Sequence, residues 1–586
     1  MPDSLSDAEF QRVYSNPGNV FPSPEDWRDC PIYFLMVDRF NNSAKPPLHK
    51  PFDDPGFFAY QGGSFDGVRA QLNTIKSLGA AAIWLSPVLK NRINDEGCYH
   101  GYGIHDFLHA NPRFASNPAN ADDELRALVD AAHAAGLYVI FDIVLNHTGD
   151  MFAYDNAGSQ APFSPTPLPI AWRDETGAER VDWQVIETIQ APLPADALVW
   201  PKELQVNAYF RRQGQPGPTD DTVGDFASLK QMMTEAPAVQ KALIRAYQYV
   251  IGRFDIDGFR IDTLRYLKGG LPLTFGNAIR EYALAIGKKN FFTFGEVWTA
   301  DSELAIANFI GRNTSNNGDL VGVDAALDYP LFDVLKPTVK GFTSPRTVID
   351  MYAYRKTVEE DILSSHGDAT RYFVTFLDNH DVKERLRHWD PSQQLSLDDE
   401  VTLGIACLAS LPGIPCIYYG TEQGLHGAGS DPAVREALWG DPAAFDVSST
   451  FYKHITQILQ VRETESALRY GRFYFRQLSG DGTNFGFSSF APGILAFSRI
   501  LNDREIVVIA NFSKIAAQQV YVVVDSTLTQ PGTQLTTRYS NKDPSAPAAA
   551  AEWMPNAVVS QMDGSTSQGA CAAFVTLAGG EVQILG

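Results

Sequence analysis

The chain has 586 residues, of which 44% are hydrophobic and 20% charged, a composition typical of a folded protein with large cores. Its length exceeds one compact core and allows roughly three or four domains. Lys and Arg number 47 against 69 Asp and Glu, and the resulting formal charge of −22 argues against nucleic-acid and anionic-membrane partners, since it repels polyanions.

The five cysteines are scattered and show no CxxC spacing, so they predict neither a disulfide framework nor a zinc site. We expect buried free thiols instead. The first ten residues, MPDSLSDAEF, lack the basic region and the apolar stretch of a signal peptide, and no run approaches the length of a membrane span. We therefore expect a cytoplasmic protein, with a mature secreted form as the alternative.

From about residue 31, short apolar runs alternate with amphipathic stretches, the rhythm of strands and helices in a parallel α/β fold. Strand one is predicted at 32–37, and the helix after it ends at Gly79, a C-terminal cap. Strand two is predicted at 81–88 and strand three at 137–147. These strands are apolar almost throughout, as expected when helices cover both faces of a sheet.

Residues 148–225 break this rhythm, because they are rich in Pro, Gly, Asp and aromatics and exceed the length of a simple loop. We predict an inserted subdomain there, followed by a helix over 228–254. The remaining barrel strands are predicted at 257–262, 290–298, near 322–329, 370–381 and 414–420. Beyond residue 466, alternating runs separated by turn residues predict an all-β terminal domain.

The predicted fold class is therefore α/β, a (β/α)8 TIM barrel with an inserted subdomain after strand three and a C-terminal antiparallel β-sandwich. The expected layout is an N-terminal extension (1–30), the barrel (31–147 and 226–465), the inserted subdomain (148–225) and the sandwich (466–586).

Four apolar runs end in polar residues: FDIVLNH, GFRID, FGEVW and FLDNHD. Because the carboxyl ends of barrel strands converge on one mouth, we expect the acids Asp262, Glu296 and Asp381 to meet there. Other polar side chains at these strand ends are His147, Arg260 and His380. Such a set is suited to gripping sugar hydroxyls around a cleavable acetal bond, so the pattern indicates glycosidic chemistry.

Each acid also has a structural interpretation. Arg260 and Asp262 share one face of a strand. Either the cation lowers the pKa of the Asp262 carboxyl and favours a nucleophile, or the two residues form only a structural ion pair. Glu296 lies among apolar neighbours that raise its pKa, as a general acid requires, although hydrogen-bonded core acids are also common. Asp381 could cap a helix. Three acids, each closing a separate strand, favour the catalytic interpretation.

These four segments resemble the signature regions of the α-amylase family, glycoside hydrolase family 13, and the resemblance covers nearly the whole chain. It implies a retaining double displacement with Asp262 as nucleophile, Glu296 as acid/base and Asp381 as transition-state stabiliser. The sugar ligands that it implies are Tyr102, His147, Arg260, His380, Asp431 and Arg435. The alternatives are loop packing for Tyr102 and a local ion pair between Asp431 and Arg435.

The resemblance also implies a structural calcium between the barrel and the inserted subdomain, with Asn146 and Asp225 as ligands, and no organic cofactor. Calcium takes six to eight oxygens, of which these residues supply two. Where many α-1,4-acting amylases carry Lys and His after the nucleophile, this chain has Arg265 and Tyr266. Arg265 on the leaving-group side would suit a smaller, branched or cyclic oligosaccharide.

The expected function is a hydrolase of α-glucosidic bonds, α-1,4 or α-1,6, in malto-oligosaccharides, cyclic gluco-oligosaccharides or related glucans. A transglycosylase on the same substrates shares every catalytic group and differs in how the site excludes water. A non-catalytic amylase-like binding or partner protein is the third alternative. The sequence does not predict an oligomeric state.

Overall fold

The structure is a computed structural model that describes residues 2–49, 58–154, 164–174, 176–178, 198–213, 221–311, 322–359, 363–364, 367–387 and 397–586. Its central element is an eight-stranded parallel sheet. The strands are β1 (Ile32–Leu35), β2 (Ala82–Leu85), β3 (Tyr138–Val144), β4 (Gly258–Asp262), β5 (Phe292–Gly295), β6 (Ala325–Ala326), β7 (Val374–Thr375) and β8 (Ile414–Tyr418).

The strands follow the order β6-β5-β4-β3-β2-β1-β8-β7. A parallel bridge between Leu327 and Val374 joins the two edges of this sheet, and the Asp328 N–H donates to the Val374 carbonyl at 2.9 Å. The sheet is thereby closed into a ring, which confirms the predicted barrel. All eight strands carry buried side chains, in agreement with their apolar sequences.

Helices surround the barrel and cap its ends. In chain order they are α1 (Ala8–Ser15), α2 (Val37–Phe40), α3 (Phe65–Ala70), α4 (Leu72–Leu78), α5 (Ala121–Ala134), α6 (Pro237–Phe254), α7 (Leu271–Ile286), α8 (Ser302–Ile306), α9 (Tyr329–Val339), α10 (Arg346–Glu359), α11 (Asp399–Ser410), α12 (Thr450–Thr464) and α13 (Ser466–Tyr470). Gly79 caps α4 with a φ of 105°, as predicted. Within the described ranges, no helix is long and apolar enough to cross a bilayer.

The helix predicted over 228–254 begins only at Pro237, so the first part of that prediction is wrong. Proline is favoured in the first turn of a helix and pushes the preceding residue into extended backbone, and Ala236 has φ −76° and ψ 124°. The residues before it instead form a short strand, Lys230–Gln231, that pairs antiparallel with His147–Thr148. This pairing places Lys230 and Gln231 beside the residues that follow β3 in the chain.

The region after β3 contains a second antiparallel pair, Phe152–Tyr154 with Ile170–Trp172. The other short pairs in the barrel half are Leu89–Asn91 with Ile104–Ala110 and Leu363–Ser364 with Gly367–Asp368. Much of the segment 148–225 lies outside the described residues, and the division into an extension, a barrel, an inserted subdomain and a sandwich remains our proposal.

Two sheets form the C-terminal part. Their main strands are β9 (Arg472–Phe475), β10 (Ile494–Leu501), β11 (Arg504–Asn511), β12 (Gln518–Val523), β13 (Thr537–Ser540), β14 (Ala549–Ser560), β15 (Thr566–Leu577) and β16 (Val582–Leu585). One sheet has the order β9-β10-β11-β16-β13, and the other contains β12, β15 and β14 with the short strands Leu478–Ser479, Asn484–Phe485 and Gln534–Leu535. The main strands pair antiparallel, as predicted.

Successive side chains of β10 pack into two different hydrophobic cores. Ile494 and Ala496 pack between the two sheets, whereas Leu495 and Phe497 join the large core shared with the barrel. One sheet therefore completes the sandwich and covers the barrel at the same time. All five cysteines are buried free thiols, which confirms that prediction.

Candidate active site

The three predicted acids meet in one cleft at the carboxyl ends of the barrel strands. Asp262, Glu296 and Asp381 line a cavity of about 530 Å³. The other predicted residues that line it are Tyr102, His147, Arg265, Asp431 and Arg435. Arg260 and His380 are fully buried and contact these lining residues. All ten predicted catalytic and sugar-binding residues are thus brought together.

Arg260 organises the acids from beneath the cleft. Its Nη1 lies 3.0 Å from Asp262 Oδ1 and 2.8 Å from Asp142 Oδ1, and its Nη2 lies 2.5 Å from Glu296 Oε2. The guanidinium is planar and its donors have a fixed fork geometry, so carboxylates from three adjacent strands are held in one arrangement. The nucleophile and acid/base candidates therefore share one cation.

Asp142 is a site residue that the sequence analysis missed. It pairs with Arg260 in the register of β3 and β4, and its Oδ2 accepts hydrogen bonds from Tyr102 (2.9 Å) and Trp84 (3.1 Å). The signal was an acid inside the apolar run FDIVLNH, because a buried carboxylate requires partners. Tyr102 also contacts His380 Nε2 at 2.7 Å, so its ring is fixed at the cleft floor.

Asp381 lies between a guanidinium and an imidazole ring. Its Oδ1 is 3.0 Å from Arg435 Nη2, and its Oδ2 is 3.1 Å from His380 Nε2. Burial raises its pKa, but His380, Arg435 and Arg260 outweigh that effect and hold the pKa below its ordinary value. The ion pair considered between Asp431 and Arg435 is not formed, because Arg435 contacts Asp381 instead.

Asp262 and Glu296 both have raised pKa values. Burial is the largest cause in each, Arg260 opposes it, and the nearby charge of Asp381 adds to it. The expectation that Arg260 lowers the pKa of Asp262 is therefore wrong in its net direction, because desolvation outweighs one cation. Such a pair favours one ionised and one protonated carboxyl, the state in which one group attacks and the other donates a proton.

His147 is oriented toward the nucleophile candidate. Its Nε2 lies 4.0 Å from Asp262 Oδ2 and has no hydrogen-bond partner among the described residues. Burial lowers its pKa to about 4, so the ring is neutral and can exchange hydrogen bonds with a hydroxyl. Arg265 differs, because its Nη2 is bound by Asp221 at 2.7 and 2.6 Å.

Two exposed aromatic rings flank the acids. Trp298 and Phe226 both line the cleft and are each 42% exposed, and Trp298 stacks on buried Tyr329 with a centroid distance of 4.6 Å. Such rings offer apolar faces to sugars. Phe226 was missed, because an isolated aromatic at the end of an irregular segment carries no periodic signal. His100, also in the lining, was missed as well.

The residues predicted to bind calcium do not fit a calcium ion. Asn146 Oδ1 accepts a hydrogen bond from Gln231 Nε2 at 3.1 Å, and Asp225 Oδ1 accepts one from the Gln231 N–H at 3.0 Å. The Lys230 ammonium lies 3.8 Å from Asp225 Oδ2 and 3.1 Å from Asp150 Oδ1. Among the residues that the structure describes, no group of three or more His, Cys, Asp or Glu side chains could hold a metal.

Comparison with known proteins agrees with this geometry. The chain matches the family model of the alpha amylase catalytic domain over residues 34–446. It is 29% identical over 492 residues to an alpha-amylase of Streptomyces lividans, covering 76% of this chain and 50% of that protein. It is 26% identical over 468 residues to a cyclomaltodextrin glucanotransferase of Geobacillus stearothermophilus, covering 77% of this chain and 56% of that protein.

Among solved structures, the alpha-amylase of Geobacillus thermoleovorans complexed with acarbose has a TM-score of 0.65 at 26% identity, covering 96% of this chain and 99% of that one. The chain spans about half the length of the Streptomyces and Geobacillus stearothermophilus proteins. The family model covers more than half of this chain. The chain belongs to the α-amylase family, glycoside hydrolase family 13.

Proposed function

We propose that the protein is a retaining glycoside hydrolase that cleaves α-glucosidic bonds in malto-oligosaccharides, cyclic gluco-oligosaccharides or related α-glucans. The observation that carries the proposal is the contact of one guanidinium, Arg260, with both Asp262 and Glu296 in the same cleft. Retaining enzymes need the two carboxyls about 5 to 5.5 Å apart, and a shared planar cation is compatible with that spacing.

In the proposed reaction, Asp262 attacks the anomeric carbon while Glu296 protonates the leaving oxygen, and a glycosyl ester forms. Asp381 stabilises the positive charge that develops on the sugar ring. Its lowered pKa supports this role, since the carboxyl stays ionised. Glu296 then removes a proton from water, and the resulting attack releases the sugar and restores both carboxyls.

Neutral imidazoles and fixed donors would position the sugar. His147 Nε2 lies 4.0 Å from Asp262 Oδ2 and has no hydrogen-bond partner in the described part of the chain. Tyr102 lines the cleft and contacts the buried His380. These groups exchange hydrogen bonds with hydroxyls without adding charge.

Transfer to a sugar acceptor is the second candidate function. Trp298 and Phe226 favour it, because two exposed rings beside the acids could hold an acceptor and displace water.

We place either activity in the cytoplasm, since five buried free thiols suit a reducing compartment. The charge of −22 is compatible with a neutral glucan substrate and argues against nucleic acid as a partner.

Chromatography of products over time tests the proposal, with maltotriose, a cyclodextrin, isomaltose, panose and sucrose as substrates. Only shorter products would indicate hydrolysis, and longer ones would indicate transfer. Asp262→Asn is the matched control, which should bind maltotriose while releasing no product. An inactive wild type that still binds these sugars would instead favour the non-catalytic alternative, and normal turnover by Asp262→Asn would contradict the assigned nucleophile.

A further inference from the structure

Lys230 is a fully buried lysine beside the junction of β3 with the segment that follows it. Its side chain has no exposed area, although lysine usually keeps its ammonium in water. The backbone strand Lys230–Gln231 places Lys230 opposite Thr148 and Gln231 opposite His147. Lys230 thus belongs to the strand pair that contains His147, a residue of the cleft lining.

Carboxylates and aromatic rings lie close to the ammonium. Its Nζ is 3.1 Å from Asp150 Oδ1 and 3.8 Å from Asp225 Oδ2. It also lies 5.3 Å and 5.1 Å from the ring centroids of Phe152 and Tyr154, within the range of cation–π attraction. Tyr154 donates its hydroxyl hydrogen to Asp225, and Arg173 shares Asp150 at 3.3 Å.

The same residues include both predicted calcium ligands. Gln231 links them, donating from its backbone N–H to Asp225 and from its side-chain amide to Asn146. A calcium ion placed among these oxygens would lie close to a buried ammonium, and like charges in a medium of low dielectric repel strongly. The ammonium and a divalent cation are therefore alternatives at this place.

We propose that Lys230 is the resident cation of this junction and takes the place of a structural calcium. The ammonium neutralises Asp150 and Asp225 and so allows the pairing of Lys230–Gln231 with His147–Thr148 to form without metal. The proposal is independent of the reaction in the cleft, because it concerns how the junction is held together.

The first experiment measures the wild-type protein. We expect its thermal midpoint to change by less than about 1 °C between a chelator and excess calcium chloride, because no calcium site contributes binding free energy. We also expect mass spectrometry of dialysed protein to find no bound calcium. A stoichiometric calcium ion, or a midpoint that falls by about 5 °C in the chelator, would overturn the proposal.

The second experiment uses Lys230→Ala, which leaves buried carboxylates without their ammonium and should lower the midpoint. Calcium should then restore part of the loss, since Asp150 and Asp225 lose the ammonium that neutralises them and an added cation can replace its charge. Magnesium chloride at equal ionic strength should restore less, because magnesium demands stricter octahedral geometry. Equal recovery with both salts would indicate general screening and contradict the proposal.

Lys340→Ala is the matched control. Lys340 is 4% exposed and pairs at 2.6 Å with one carboxylate, Glu384, which is itself 48% exposed. Its loss should lower the midpoint without creating a calcium response. If Lys230→Ala does not fold, the metal content and chelator response of the wild type still decide the question.

Discussion

Arg260 is fully buried, and its guanidinium contacts Asp142, Asp262 and Glu296. Taking charges out of water is costly, so a buried cation of this kind requires close partners. Burial nevertheless keeps the pKa values of Asp262 and Glu296 above their ordinary values. The charge balance of the cleft therefore favours one proton shared between two acids.

Glu296→Gln tests the acid role at the residue scale. We expect a loss of about 10²- to 10⁴-fold in kcat/KM on maltotriose, because the amide cannot protonate the leaving oxygen. The loss should be smaller on aryl glucosides with activated leaving groups, which need little protonation. Steady-state kinetics on both substrates measures the difference, and equal losses would argue against proton donation by Glu296.

The pH profile of the same two proteins adds a second check. The wild type should lose activity as pH falls through the raised pKa of Asp262, because a protonated nucleophile cannot attack. It should also lose activity as pH rises through the raised pKa of Glu296, because an ionised acid cannot donate. Glu296→Gln should lack the alkaline limb, and an unchanged profile would contradict the assignment.

At the scale of elements, the ends of β4 and β5 must approach each other closely for Asp262 and Glu296 to share one cation. Thr263, directly after β4, has a φ of 47°, a left-handed conformation that is uncommon for threonine. Its N–H donates to Glu296 Oε2 at 3.3 Å. The turn therefore bends back toward the neighbouring strand and contributes a donor to the acid.

Gly295→Ala tests this close approach. A Cβ at Gly295 would lie 2.2 Å from Leu264 Cδ2 and 3.0 Å from Leu264 Cβ, so the buried Leu264 side chain must shift. We expect a destabilisation of about 1–3 kcal/mol in urea unfolding and a lower kcat. Gly480→Ala is the control, because nothing lies within 4 Å of a Cβ there. Equal stability of the two variants would show that the approach is unimportant.

At the scale of the whole molecule, the C-terminal sandwich and the barrel share a core and a buried arginine. Arg499 on β10 donates to the Ser410 carbonyl at the end of α11 at 2.7 Å and to the Gly471 carbonyl at 3.2 Å. Burial is the largest cause of its pKa being lowered to about 9. Backbone carbonyls thus bind the guanidinium across the boundary between the two parts.

Arg499→Ala should weaken that boundary. We expect a loss of about 2–4 kcal/mol, because two buried carbonyls lose their donor and a large side chain leaves the core. Calorimetry should find one unfolding transition in the wild type and a lower or split transition in the variant. The exposed Arg472→Ala on β9 should change little, and a similar loss there would contradict a specific role for Arg499.

The sequence by itself determined the barrel, the order of its strands and the acids that meet at its mouth. Apolar runs of strand length are local features, and the carboxyl ends of parallel barrel strands converge whatever the details of packing. The positions of Asp262, Glu296 and Asp381 in the cleft therefore followed from where each run ends.

Only the tertiary structure decided what surrounds those acids. Asp142 and Arg260 are 118 positions apart, and no local pattern pairs them. The raised pKa of Asp262 depends on burial, which sequence neighbours do not determine. The sequence predicted Lys230 within a helix, but that helix begins only at Pro237. The position of Lys230 between Asp150 and Asp225 depends on long-range packing.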